Sequence, residues 1–238
     1  VFGTAAAIIA VALLAWAVLV EPIWGWVEYR RLVARRDSDP RALVRMYRIF
    51  IATLWPAAAL AFLAVALSPG LDLAAIGVRA PRLDGFVLGL SVSGAIALVV
   101  SSVRLRADAR EGKPIAGLDA YAALLPRTRE ERWYAAASAL TAGICEEVVY
   151  RGLFIAAFVG LFQLPITAAA IASVVVFTLG HVYQGWRGML GVGVLAGILT
   201  VVYLRTGSLL LPVALHALVD LRALLVIRPA AASASSPG

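Results

Sequence analysis

Residues 2–20 read Phe-Gly-Thr-Ala-Ala-Ala-Ile-Ile-Ala-Val-Ala-Leu-Leu-Ala-Trp-Ala-Val-Leu-Val, nineteen positions without a charge. A helix needs roughly 20 apolar residues to cross the hydrocarbon of a bilayer. The stretch also lacks the basic start and polar cleavage zone of a signal peptide. It reads as a true membrane span. Further apolar runs follow near 49–67, 84–103, 133–163, 166–183, 188–204 and 208–227. The run at 133–163 is long enough for one tilted helix or two pieces. The expected fold is therefore all-α, a polytopic integral membrane bundle of about seven to eight transmembrane helices.

Composition agrees with that reading. Of 238 residues, 62% are hydrophobic and only 15% charged, against roughly 25% charged in an ordinary soluble domain. The mean hydropathy is +0.91. A net charge of +7 could imply nucleic acid, but the basic residues sit in short blocks between apolar runs, as orientation signals do. No nucleic-acid partner is expected; the lipid bilayer is. Blocks at 28–48 and 104–132 place those segments in the cytoplasm and the N-terminus outside. The arginine-rich 28–48 segment reads as a solvated helix touching anionic lipid. The single cysteine, Cys145, excludes an internal disulfide framework. Three regions are expected: 1–128, N-terminal transmembrane helices with basic cytoplasmic loops; 129–228, a second helical core; and 229–238, a disordered tail. Thr128-Arg129-Glu130-Glu131 reads as a capping box opening the fourth helix.

Ionisable residues inside a span cost about 2.5–3.5 kcal/mol each and are functional candidates by default. The first three spans keep nearly all charges at their ends, Glu21 being marginal. The later spans do not. Glu146, Glu147 and Arg151 lie in the fourth, His181 in the fifth, and His216 with Asp220 in the seventh. Glu147 and Arg151 are four apart, hence neighbours on one helix face. Glu146 points about 100° away and is free to act as a base. Asp220, four residues after His216, is expected to take a proton from one imidazole nitrogen and so orient the ring. At 1.5 Å per residue, Glu146 would lie roughly 20 Å from the cytoplasmic interface but His181 within about 10 Å. Tilt, a break near Gly143 or a cavity would reconcile the two depths.

The three constellations, Glu146-Glu147…Arg151, Phe177…His181 and His216…Asp220, resemble the motifs of the CAAX protease and bacteriocin-processing (CPBP) intramembrane proteases, relatives of the type II CAAX prenyl endopeptidase. The resemblance covers about residues 130–227. It implies an intramembrane endopeptidase acting on a membrane-embedded or membrane-associated peptide or protein. In that family reading Glu146 activates a water with help from His181, Glu147 and Arg151 organise the first motif, and His216 with residue 220 stabilises the oxyanion. Where the family commonly has Asn, this chain has Asp220, and an ionised Asp cannot donate to an oxyanion; His216 is then the donor. Glu146, His181 and His216 could also supply three ligands to a catalytic zinc. The glutamate–histidine mechanism needs none, so no cofactor is favoured, with zinc the alternative. A bacterial plasma membrane is expected from size and Ala/Arg-rich composition. The competing functions are a non-catalytic scaffold or bacteriocin-immunity protein, and a proton-coupled transporter.

Overall fold

A computed structural model describes residues 2–111, 113 and 121–226; the expected tail at 229–238 lies outside the described residues. Seven continuous helices and no strand are found among them. The first joins α1 (Thr4–Ala15) to α2 (Glu21–Arg35) through a π-helical turn, Trp16–Val20. Next come α3 (Ala42–Ala66) and α4 (Gly85–Arg110). The fourth starts as α5 (Arg129–Glu146), widens into a π segment at Glu147–Phe154 and ends as α6 (Ile155–Gly160). The long run at 133–163 is thus one helix. Then follow α7 (Ile166–Leu179), α8 (Gly185–Thr206) after a 3₁₀ turn at Val182–Gln184, and α9 (Leu210–Leu225). Thr4–Arg35, Ala42–Ala66, Gly85–Asp108 and Val182–Thr206 are long and apolar enough to span. The chain is an integral membrane protein.

The start of α5 is set by the expected capping box. The Thr128 hydroxyl accepts from Glu131 N–H at 3.1 Å, and the Glu131 carboxylate accepts from Thr128 N–H at 3.2 Å. Two orphan donors of the first turn are satisfied reciprocally.

The connections sort to two opposite ends. At one end Arg36 is clamped to Glu131 at 2.8 and 2.9 Å, and the Tyr47 hydroxyl donates to Leu124 O at 2.6 Å. At the other end Leu209 N–H donates to Gly77 O at 2.8 Å, and Arg82 N–H to Thr206 O at 2.9 Å. This is the up-and-down alternation that the basic segments imply. One detail of that segment is corrected: Arg36 is buried, only 6% exposed, not solvated. Its guanidinium also donates to the carbonyls of Ala123 and Leu125, which Tyr121–Leu125 would otherwise leave unpaired at the end of a buried turn.

The interior is closed by small residues. Ala6 and Ala10 of α1, with Ala58, Ala61 and Ala64 of α3, are nearly fully buried; small residues let membrane helices approach closely. A close approach of backbones joins α5 to α9. A Cβ on Gly143 would stand 2.9 Å from the Cβ and the backbone nitrogen of Ala217. Gly143 is therefore a crossing point within an unbroken helix, not a break. It lies one turn before Glu147, and Ala217 is next to His216, so this crossing brings the motifs together. The depth conflict has a different resolution. At 14 residues, α7 is about 21 Å long, short of the roughly 30 Å hydrocarbon. It stops partway, and His181 stays inside the bundle beside a cavity.

Candidate active site

The six expected residues come from two helices, α5 with its π segment and α9, and from the end of α7, and they converge. Glu147 and Arg151 pair at 2.9 Å with both side chains fully buried. The guanidinium is fixed further by Ala196 O at 3.2 Å and the Thr200 hydroxyl at 3.4 Å, both on α8. Its carbon lies 4.6 Å from the centroid of the Phe177 ring, a cation–π arrangement that is stronger when desolvated. Phe177 is also an edge-on neighbour of Tyr150 at 5.0 Å and of His216 at 5.9 Å, and it tilts against His181 at 4.7 Å. The aromatic position of the Phe-x-x-x-His motif thus packs against the guanidinium and both imidazoles.

His216 is gripped from two sides. Its Nδ1 lies 2.7 Å from Glu147 Oε1. A carboxylate only accepts, so Nδ1 carries the hydrogen and Nε2 turns elsewhere. Nε2 stands 3.7 Å from Glu146 Oε2 and 3.7 Å from Asp220 Oδ2. The expectation that Asp220 orients the ring is therefore corrected: Glu147 does. The α5–α9 crossing aims Glu147 at Nδ1, whereas Asp220 reaches only the far side of the ring. Glu147 Oε1 serves both Arg151 and His216, while Oε2 is buried with no partner among the described residues.

His181 follows the end of α7, and its Nδ1 donates to Phe177 O at 2.9 Å. A carbonyl cannot donate, so Nε2 keeps its lone pair. The π segment is supported from the same helix: buried Ser173 donates to Tyr150 O at 2.6 Å. Short π segments recur at functional sites.

A cavity of about 190 Å³ is lined by Glu146, His181, His216 and Asp220, and by Glu21, Trp24 and Tyr183. Its walls continue to Glu28, Met46 and Leu124 at the basic end. Glu147 and Arg151 do not line it; they stand behind His216. Sequence reasoning passed over Thr200, Phe177's packing role and the cavity position of Glu21. The available signals were a lone hydroxyl in an apolar helix and an acid after an uncharged span.

Among the described residues, no group of three or more His, Cys, Asp and Glu side chains is placed to hold a metal ion. Glu146, His181 and His216 share the cavity without forming such a ligand set.

A family model described as Type II CAAX prenyl endopeptidase Rce1-like matches residues 128–222. No curated protein matches the chain, and no solved structure does. The matched segment begins at the cap of α5, ends within α9 and contains all six residues assembled above. Residues 128–222, less than half of the chain, are thus similar to the Rce1-like family of type II CAAX prenyl endopeptidases, and they hold all six residues of the site.

Proposed function

We propose that the protein hydrolyses a peptide bond of a membrane-associated substrate with a water activated by Glu146 and His181. The observation that carries this is one cavity walled by Glu146 of α5, His181 after α7, and His216 and Asp220 of α9. Amide hydrolysis needs a base on one side of the carbonyl and a donor on the other. Glu146 is the base: it takes a proton from water as the oxygen adds to the carbonyl carbon. His181 offers Nε2 to the same water, because Nδ1 is committed to Phe177 O. His216 faces the opposite side of the carbonyl. As an imidazolium, with Nδ1–H held by Glu147, it donates from Nε2 to the oxyanion. Arg151 and Glu147 touch no substrate in this scheme; they hold the ring. Asp220 supports the charged imidazole from its far side.

The reaction as proposed uses no metal, and a bacterial plasma membrane is the proposed setting, from the Ala/Arg-rich composition. The test is cleavage of a peptide library by purified protein in liposomes. Glu146→Gln and His181→Ala are expected to lower kcat by about 10²–10⁴-fold, the range for loss of a general base, with folding retained. Cleavage that survives both variants would overturn the mechanism. Activity restored by added zinc after chelation would overturn the metal-free step. Cellular function persisting in both variants would favour the scaffold reading.

A further inference from the structure

The N-terminal helix places an acid in the same cavity that the protease chemistry does not use. Glu21 follows the π turn Trp16–Val20 and opens α2. Its Oε2 accepts from the Tyr150 hydroxyl at 2.7 Å, and Tyr150 lies in the π segment one turn beyond Glu146. Its Oε1 is directed at Gly180, where a Cβ would stand 3.4 Å away, next to His181. No Arg, Lys or His pairs with this carboxyl among the described residues. Glu147 has Arg151 and Glu131 has Arg36; Glu21 has only a phenol.

A second hollow, about 50 Å³ and bounded by Leu13, Leu54 and Val149, adjoins the reaction cavity. Four residues wall both: Glu21, Trp24, Phe50 and Glu146. The two carboxyls therefore both wall the junction of two largely apolar hollows.

We infer that Glu21 is a second catalytic acid of the reaction, supplying the proton that the leaving amine needs. The inference rests on the protease reading above. Glu146 takes one proton from water, and the hydroxyl oxygen bonds to the carbonyl carbon. As the C–N bond breaks, its electron pair goes to nitrogen, which takes a proton from the Glu21 carboxylic acid. Glu21 then regains a proton from Glu146 through cavity water, and water has been added across the amide. The Tyr150 hydroxyl, which donates to Oε2 from the side of the second hollow, fixes the orientation of the carboxyl. The N-terminal helices, which lie outside the matched segment, thereby contribute to the chemistry.

The test compares a peptide with the same sequence carrying an activated ester at the scissile bond, whose alkoxide leaves without protonation. On the peptide, Glu21→Gln is expected to lower kcat by about 10²–10³-fold with KM within about threefold. On the ester the same variant is expected to stay within about threefold of wild type. Glu146→Gln is expected to fail on both. Tyr150→Phe, which keeps the acid, is expected to lose less than about tenfold on the peptide. Equal losses of Glu21→Gln on peptide and ester, or a near-wild-type rate on the peptide, would overturn the inference. Should Glu21→Gln fail to fold, Glu21→Asp replaces it; a larger defect on peptide than on ester supports the inference and equal defects overturn it. Wild-type protein that cleaves neither substrate would overturn the protease reading itself.

Discussion

Two buried arginine–carboxylate pairs stand at different depths, and they are built differently. Arg36 grips Glu131 with two parallel bonds at 2.8 and 2.9 Å. The carboxylate also takes the amides of Arg127 and Thr128, and the guanidinium takes two carbonyls. Four of the five guanidinium N–H groups and both carboxylate oxygens are used. Arg151 meets Glu147 through a single oxygen, which it shares with His216, and the other oxygen has no partner among the described residues. A fully satisfied network fixes geometry, whereas a partly satisfied one is costly and persists where it serves chemistry. The first pair fastens the chain to the start of α5. The second holds an imidazole against a cavity.

Replacing one partner in each pair tests that contrast. Arg151→Met leaves Glu147 fully buried with His216 as its one remaining partner among the described residues. It is expected to cost about 3–5 kcal/mol, the range for breaking a buried pair, and to abolish cleavage, read by melting in detergent and by peptide turnover. Arg36→Met leaves Glu131 with two backbone amides at the helix start, so about 2–3 kcal/mol is expected, with kcat per folded molecule unchanged. Loss of kcat in Arg36→Met, or normal kcat in Arg151→Met, would erase the distinction.

The clamp also has a pH signature. Glu131 lies ahead of Trp133, where the span begins. Burial works to raise its carboxyl, but the Arg36 hydrogen bonds and the Arg127 and Thr128 amides outweigh this and hold it below the ordinary value. A lowered folded value means its contribution is present above the unfolded carboxyl range and is lost as pH falls through the folded value. Acid melting curves of wild type should fall in that window, and those of Glu131→Gln should be flatter there.

The smallest effect concerns the crossing that connects the two regions. Gly143→Ala would press on Ala217 and is expected to cost about 1 kcal/mol, the low end for overpacking. Ala217→Gly should restore part of both stability and turnover, since it removes the Cβ contact and leaves the backbone nitrogen 2.9 Å from the added methyl. Failure of that rescue would show that the crossing does not set the Glu147–His216 distance.

Much of this architecture is legible from sequence because its signals are local. Apolar run length marks the helices, Thr128…Glu131 marks the start of α5, and charges inside greasy runs mark Glu146, Glu147, Arg151, His181, His216 and Asp220. Pairings between distant segments are another matter. Nothing in a run of seven arginines distinguishes Arg36 from its neighbours, yet it alone of that run meets Glu131. The choice between Asp220 and Glu147 as partner of His216 depends on where two helices cross. A four-residue spacing favoured the wrong one. The depth of His181 depends on α7 ending early, and an apolar run at 166–183 hides the turn that follows Leu179.

The shortness of α7 has a bearing on the membrane as a barrier. Hydrolysis consumes water, yet a conduit through the bilayer would dissipate ion gradients. By stopping partway, α7 leaves a recess that reaches the basic face, while Leu153, Phe154, Tyr203 and Leu209 fill the opposite half. On the proposed reading, the water that hydrolysis consumes comes from the basic face, and the packed half keeps the barrier.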